Sequence, residues 1–202
     1  MPNADFFGRL GLFVRRDFLD PDFCRQYLLE AQTCHCALAQ LRRNGGVITD
    51  ESHRRTQQLR VSTSTFQEIK QRLLTTMPEV ARHFQLTLAE LESPSFYRYQ
   101  EGDFFGIHKD VIEPDLPGSR FEKNRKVSLI LFLNSFAEAP SQNSFSEGTL
   151  TLYGLLKDPR SQNFGFPLEP EQGVLIGFPA EVWHEVKPVT RGERFTIVSW
   201  FI

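Results

Sequence analysis

Six strand-like segments follow one another in the second half of the chain, with no helical pattern between them. Each is rich in β-branched or aromatic residues, and Gly, Pro, Ser and Asn fill the connections. Because parallel strands need long, usually helical crossovers, this order predicts an antiparallel sheet. The strand count is that of a double-sheet jelly roll. The segments are 95–109, 126–134, 148–153, 173–178, 182–187 and 194–201.

Helical patterns lie in the first half of the chain. Asp20 and Pro21 stand in the order of an N-cap and a first helical residue, and apolar residues recur at helical spacing after them. We expect this helix to run to about Arg43 and to stop at 44–46, which contains two glycines. The segment Cys34-His35-Cys36 then lies in the helix, and three such groups without a fourth make a poor zinc site.

A second helix is predicted to begin at Thr65, because Glu68 three residues later completes the spacing of a capping box. We expect Pro78 to interrupt this helix, since a proline removes one helical hydrogen bond. Short strands are predicted at 10–18 and 57–63.

Helices first and strands afterwards predict an α+β fold that is mainly β. A length of 202 residues fits one domain. We divide that domain, 1–202, into a helical support region with short strands, 1–94, and a jelly-roll core (a double-stranded β-helix), 95–202. The 19 phenylalanines against 4 tyrosines suit the interior of such a core.

Composition and charge exclude several classes of protein. A formal net charge of −2 gives no general field for nucleic acid, and we interpret the basic groups at 42–43, 54–55 and 123–126 as solvated surface. Three cysteines are too few for a disulfide scaffold and favour a reducing compartment. We find neither a signal-peptide pattern nor an apolar run of membrane-helix length. The expectation is a cytoplasmic protein without a nucleic-acid or membrane partner.

The segment His108-Lys109-Asp110 is the first candidate for chemistry. Side chains alternate along a strand, so His108 and Asp110 point to one face and Lys109 to the other. One imidazole and one carboxylate are two of the three groups in the facial site that holds iron(II). A surface pair or a satisfied hydrogen bond is the alternative interpretation.

A second histidine on the sheet half is available at His184. The remaining histidines fall in helical patterns or in a charged loop: His35, His53 and His83. Strands that are distant in sequence can meet across a jelly roll. His184 is therefore the candidate for the third metal ligand.

Arg194 opens the last strand and shares a face with Thr196, Val198 and Trp200. A guanidinium that faces a barrel interior is costly unless it is paired. A bound carboxylate ligand satisfies it, because the planar fork of arginine matches two carboxylate oxygens. A structural ion pair with Glu193 or Glu185 remains the alternative.

The order of these residues resembles the 2-oxoglutarate and iron(II)-dependent dioxygenases, and among them the prolyl-4-hydroxylase-like branch. The resemblance covers about Tyr97 to Phe201. It rests on His108-Lys109-Asp110, His184 and Arg194, and on further segments in the same order: Tyr99-x-x-Gly102, 128–134, 147–152 and 173–179. The helices of the first half fit the support helices of such proteins.

The resemblance implies a role for each matching residue. His108, Asp110 and His184 resemble the iron ligands, and Arg194 resembles the residue that holds the far carboxylate of 2-oxoglutarate. Three further residues resemble parts of the co-substrate site or can assist it: Tyr99 as a co-substrate contact, Trp200 near the floor of the site, and Ser128 as a helper of Arg194. The implied cofactors are Fe(II), 2-oxoglutarate and O2, with ascorbate as a further reductant.

Three positions depart from the family pattern. Phe105 and Phe132 stand where an aromatic hydroxyl is common, so co-substrate binding is expected to lack one or two polar contacts. Glu147 replaces the first residue of a usual Gly-Gly pair, which is expected to alter a tight turn. The connections 111–126, 135–147 and 154–172 are expected to be loops, the first of them a lid or substrate loop.

The resemblance implies hydroxylation of an unactivated C–H bond, with a peptidyl, prolyl-type substrate slightly favoured. The alternatives are a small-molecule hydroxylase of the same class and a sensor that binds iron and 2-oxoglutarate without turnover. A purely structural jelly roll is the third possibility. The sequence leaves the oligomeric state open.

Overall fold

The computed structural model describes residues 4–43, 46–111, 124–141, 143–156, 163–169 and 171–202. Most of the predicted substrate loop 111–126 lies outside these residues, as do parts of the basic group 123–126 and of the loop 154–172. No helix in the described ranges is long and apolar enough to cross a membrane.

Three helices and seventeen strands make up the described structure. The helices are α1 (Ala4–Arg9), α2 (Pro21–Ala31) and α3 (Thr63–Phe84). The strands are β1 (Phe13–Arg15), β2 (His35–Leu38), β3 (Leu41–Arg43), β4 (Gly46–Ile48), β5 (Arg54–Arg55), β6 (Gln57–Arg60), β7 (Ser95–Tyr99), β8 (Phe104–His108), β9 (Val127–Phe132), β10 (Ser135–Phe136), β11 (Ser144–Glu147), β12 (Leu150–Tyr153), β13 (Gly165–Leu168), β14 (Leu175–Pro179), β15 (His184–Val186), β16 (Val189–Gly192) and β17 (Arg194–Phe201).

Two large sheets contain most of the strands. The seven-stranded sheet has the order β1-β14-β9-β17-β7-β6-β2, and the five-stranded sheet has the order β13-β12-β15-β8-β5. A three-stranded sheet, β10-β11-β16, and the pair β3-β4 complete the set. Every pair in the two large sheets is antiparallel, as the sequence predicts, and the short β10–β11 pair is parallel.

The segment predicted as one strand, 95–109, is two strands in different sheets. β7 pairs with β17 in the seven-stranded sheet, and β8 pairs with β15 in the five-stranded sheet. A turn at residues 100–103 separates them. The two ends of the segment 95–109 therefore lie in different large sheets. Strands missing from the sequence prediction include β10 and β11 in 135–147, β13 in 154–172, and β16.

The prediction for α2 is wrong at its C-terminal end. The helix ends at Ala31, and His35–Leu38 forms β2, an edge strand paired with β6. Cys34-His35-Cys36 therefore lies outside the helix. The helical spacing of apolar residues is outweighed here because the edge of β6 offers unpaired backbone groups, and sheet pairing satisfies them.

The prediction for α3 is wrong at two points. The N-cap is Ser62, whose side chain accepts a hydrogen bond from the Thr65 N–H, so the helix begins at Thr63. The helix also continues through Pro78 to Phe84 without interruption. Its apolar face is buried along its length, and this tertiary packing outweighs the loss of one hydrogen bond at the proline.

β9 shows how the core is divided. Leu129 and Leu131 belong to a cluster that includes Ile69 and Leu73 of α3, so this face of the seven-stranded sheet is covered by helices. The alternate residues, Ser128, Ile130 and Phe132, point the other way. Ile130 and Phe132 pack with residues of β12, including Leu150 and Leu152. The space between the two large sheets is therefore lined by the face that carries Ser128.

Candidate active site

His108 and His184 are brought together by the pairing of β8 with β15. They are partners in the antiparallel register, and their ring centroids lie 4.1 Å apart. Asp110 follows two residues after the end of β8, and its backbone N–H donates to the Ala180 carbonyl oxygen at 3.0 Å. This bond fixes the chain beyond the strand, so that the carboxylate turns back towards the two imidazoles.

The three side chains form a compact group of metal-ligand type. Asp110 Oδ1 lies 3.6 Å from His108 Nε2, and Asp110 Oδ2 lies 3.5 Å from His184 Nε2. One donor atom from each residue lies within 4.8 Å of the other two. Two imidazoles and one carboxylate on one side of a point are the donor set of non-haem iron(II) sites, which leave the opposite positions open.

Both imidazoles are oriented by backbone carbonyls. His108 Nδ1 lies 2.8 Å from the Gly106 carbonyl oxygen, and His184 Nδ1 lies 2.9 Å from that of Val182. A carbonyl oxygen only accepts, so each Nδ1 carries the hydrogen in the neutral imidazole. The lone pair is then on Nε2, the atom that faces Asp110.

The electrostatics of the group favour the protonation states that bind a metal. Burial, followed by the charge of His184, holds the pKa of His108 well below its usual range. Burial raises the pKa of Asp110, but the charges of His184, His108 and Arg125 outweigh this and lower it to about 2. His108 is therefore neutral and Asp110 ionised at neutral pH.

Ser128 contacts the metal-ligand group and not Arg194. Its Oγ donates to Asp110 Oδ2 at 2.6 Å, so the predicted assistance to Arg194 is wrong. The sequence places Ser128 on the correct face of β9. Which of two interior partners it reaches depends on the register of β9 against its neighbours, and the strand pattern does not contain that information.

Arg125 holds Asp110 from the other side. Its Nη1 donates to the Asp110 carbonyl oxygen at 3.0 Å, while Nε and Nη2 each bond a carboxylate oxygen of Glu92 at 2.7 Å. The guanidinium lies 3.6 Å from the Trp200 ring centroid. Trp200, predicted near the floor of the site, thus packs against the support of Asp110. Arg125 and Glu92 were not found in the sequence analysis, because an arginine in a basic stretch is predicted to lie on the solvated surface.

Arg194 is buried in the interior with most of its donors unused. It is 1% exposed, and among the described residues its Nε and Nη2 have no hydrogen-bond partner. Nη1 donates weakly to Thr196 Oγ1 at 3.4 Å. Burial lowers its pKa to about 10. A carboxylate ligand fits this arrangement, because it supplies two acceptors and the missing negative charge.

The ion-pair alternative for Arg194 is not what the structure shows. Glu193 Oε1 lies 3.7 Å from Arg98 Nη1, and Glu185 Oε1 lies 2.6 Å from Lys187 Nζ. Tyr99 is the cross-strand partner of Arg194, with its ring centroid 4.9 Å from the guanidinium. Tyr99 therefore lines the same space as the Arg194 guanidinium.

The three departures from the family pattern have clear positions. Phe105 stacks on His108 with ring centroids 3.6 Å apart, and Phe132 lies 5.4 Å from the Arg194 guanidinium. These two rings give the site apolar walls. Glu147 has a φ of 58° and Gly148 a φ of 63°, so the turn keeps left-handed backbone at both positions. A Cβ on Gly148 would lie 3.1 Å from Arg194 Cδ, and its absence makes room for that side chain.

Arg54 is a further charged residue of the interior, and its assignment to solvated surface is wrong. It is 9% exposed, and its guanidinium lies 4.5 Å from the Phe105 ring centroid. Its neighbour Arg55 is half-exposed and pairs with Asp103. In a strand one of two adjacent residues faces inwards, and that alternation was the available signal.

Comparison with known proteins supports the fold and the family. The profile of the 2OG-Fe(II) oxygenase superfamily matches residues 94–202. A PKHD-type hydroxylase of Pseudoalteromonas atlantica is 29% identical over 108 residues, which are 53% of this chain and 41% of that protein. One from Acidovorax ebreus is 27% identical over 152 residues, 74% and 61% of the two chains. The chain thus spans about two-fifths of the first relative.

Solved structures share the architecture at low identity. A Pseudomonas putida prolyl-4-hydroxylase superposes with a TM-score of 0.67 at 23% identity, over 98% of this chain and 96% of that one. A Trichoplax adhaerens prolyl hydroxylase, solved with a peptide fragment of the hypoxia inducible factor oxygen degradation domain, gives 0.71 at 19% identity, over 98% and 86%. These similarities confirm the predicted double-stranded β-helix fold. Since the matching profile covers more than half of the sequence, the chain belongs to the 2OG-Fe(II) oxygenase superfamily.

Proposed function

We propose that the protein is an Fe(II)- and 2-oxoglutarate-dependent dioxygenase that hydroxylates an unactivated C–H bond. His108, Asp110 and His184 are the proposed iron ligands, and Arg194 is the proposed partner of the far carboxylate of 2-oxoglutarate. The observation that carries the proposal is the pairing of these two features in one interior. A convergent His-Asp-His group faces the same space as a buried arginine with free donors.

Iron(II), 2-oxoglutarate and O2 together supply the oxidant for such a reaction, with succinate and CO2 as the other products. The protein residues orient and shield. The carbonyls of Gly106 and Val182 fix the two imidazoles, and Ser128 and Arg125 fix the carboxylate of Asp110. The rings of Phe105 on the ligand side and of Phe132 on the Arg194 side are apolar walls, which favour a site shielded from water.

For the substrate, we propose a peptidyl residue of prolyl type. The support is the structural similarity to prolyl hydroxylases, one of them solved with a peptide. A small-molecule substrate is the second candidate, because aromatic rings line the interior between the sheets beside two buried guanidiniums with unpartnered donors. A sensor without turnover uses the same ligands, and only turnover separates it from an enzyme.

The test is O2-dependent conversion of 2-oxoglutarate to succinate by the iron-loaded protein. We expect succinate formation to rise when fractionated cell extract is added, together with an extract component that gains one oxygen atom. Arg194→Ala is expected to weaken 2-oxoglutarate binding far more than iron binding. Tight binding of both without turnover in any fraction would favour the sensor, and equal loss of both in Arg194→Ala would make Arg194 structural.

A further inference from the structure

Arg54 is the second buried guanidinium of the interior, and the proposed co-substrate site does not use it. Its guanidinium lies 4.4 Å from the Tyr97 ring centroid and 4.5 Å from that of Phe105. Its hydrogen bond from Nη1 to the Gln40 carbonyl oxygen is long, at 3.5 Å, and the Tyr97 side chain is a further hydrogen-bond partner. Its Nε has no partner among the described residues. Arg54 is therefore held by two aromatic faces and keeps donor capacity.

The strand pattern places Arg54 in the same space as Arg194. Tyr97 and Tyr99 are two residues apart on β7, so they share a face, about 7 Å from each other. Arg54 lies over the first ring and Arg194 over the second. The two guanidiniums thus line one interior side by side.

Arg54 is also close to the metal-ligand group. Phe105 lies 4.5 Å from the Arg54 guanidinium and stacks on His108 at 3.6 Å. A single aromatic ring therefore contacts both the cation and a proposed iron ligand. A group bound by Arg54 therefore lies near the proposed metal site, on the side of Phe105.

With iron(II) and 2-oxoglutarate bound, the Asp110 charge is used, and the described residues of the site offer Arg54 no carboxylate of its own. Iron(II), the Asp110 carboxylate, Arg194 and the dianion of 2-oxoglutarate cancel one another. Of the nearby pairs, Arg125 is neutralised by Glu92 and Arg55 by Asp103. No carboxylate among the described residues forms a salt bridge with Arg54. Burial of a cation is costly, the Tyr97 and Phe105 rings offset part of that cost, and one further carboxylate offsets the rest.

We propose that Arg54 is a substrate-binding residue and that the substrate carries a carboxylate within a few bonds of the carbon that is hydroxylated. This inference rests on the proposed function. If the substrate is peptidyl and of prolyl type, the inference predicts hydroxylation of a carboxy-terminal residue, since an internal residue has no free α-carboxylate. For a small molecule it selects an organic acid.

The test compares acids with their amides on protein loaded with Mn(II) and 2-oxoglutarate, where no turnover occurs. The peptide arm uses N-acetylproline and its amide, and the small-acid arm uses cyclopentanecarboxylate and its amide. Binding is followed by ligand-observed NMR. We expect at least one acid to bind the wild type about ten- to a hundredfold more tightly than its amide, as for a hydrogen bond to a charged group. The pair in which the acid binds more tightly than its amide shows whether the carboxylate belongs to a peptide or to a small organic acid.

Arg54→Gln is expected to lose this preference while 2-oxoglutarate affinity stays within about twofold, and Arg55→Gln is the matched control that keeps both. Arg54→Lys keeps the charge and is expected to retain part of the preference. The proposal is overturned if neither acid binds the wild type at millimolar concentration, if acid and amide bind equally, or if Arg54→Gln binds the acid like the wild type. Loss of folding in both Arg54 variants would make the residue structural.

The same titrations separate this inference from the proposed function. A wild type that binds no 2-oxoglutarate refutes the proposed function itself. A wild type that binds it, with Arg54→Gln losing it, assigns Arg54 to the co-substrate and overturns only the present inference.

Discussion

Replacing Arg194 by methionine should stabilise the ligand-free protein and abolish its response to 2-oxoglutarate. Methionine has similar length and no charge. It fills the space beside Tyr99 and Phe132 without leaving unpaired donors. The prediction is unusual, because most substitutions of a fully buried residue destabilise.

The magnitude follows from the environment of the guanidinium. Burial lowers the pKa of Arg194 to about 10, and this shift corresponds to about 3 kcal/mol against the protonated form at every pH below that value. The contacts with the two aromatic rings offset part of this, about 0.5–1 kcal/mol each. We therefore expect Arg194→Met to raise the free energy of unfolding by about 1–2 kcal/mol.

Urea unfolding with Mn(II) present, with and without 2-oxoglutarate, measures both effects. Saturating 2-oxoglutarate should stabilise the wild type by about 3 kcal/mol at a hundred times its dissociation constant, and the variant not at all. Arg98→Met is the control, because Arg98 is paired with Gln57 and Glu193 and should lose stability. The assignment of Arg194 is refuted if Arg194→Met loses as much stability as Arg98→Met. It is also refuted if 2-oxoglutarate stabilises Arg194→Met as much as it stabilises the wild type.

Two further substitutions test the support of the site and of the fold. Ser128→Ala removes the 2.6 Å bond to Asp110, so metal affinity measured by titration should fall about tenfold or more in a folded protein; unchanged affinity contradicts the role of Ser128. Gly173→Ala places a Cβ 2.3 Å from the Leu19 carbonyl oxygen at a φ of +79°, and should cost about 2 kcal/mol or more in urea unfolding. Gly154→Ala, at a φ of +69° with nothing within 4 Å, should cost about 1 kcal/mol, and equal losses would refute the clash.

The residues that converge at the site are visible in the sequence because a strand alternates with a period of two. That period turns Arg194 and Ser128 inwards. Asp110 lies beyond the end of β8, and its backbone bond to Ala180, not strand alternation, turns its carboxylate towards His108. The structure brings His108, Asp110 and His184 together through a strand register that the sequence does not contain. The hydrogen bond of Ser128 to Asp110, where assistance to Arg194 was predicted, depends on the same kind of strand register.

The errors in the first half of the chain have a different cause. The end of α2 and the path of α3 through Pro78 are decided by tertiary contacts, the pairing of β2 with β6 and the burial of a helix face. Local patterns do not report such contacts. Arg54 and Arg125 were assigned to the surface because arginine is usually exposed, and only the packed structure shows which arginines are enclosed.

The most direct test of the iron site is anaerobic addition of Fe(II) and 2-oxoglutarate, followed by visible absorption. The wild type should show a weak charge-transfer band, and His83→Ala, which changes an exposed histidine on α3, should show the same band. His108→Ala and His184→Ala should each lose it and retain no iron. A wild type without band or iron, or a band that persists in His184→Ala, would contradict the account.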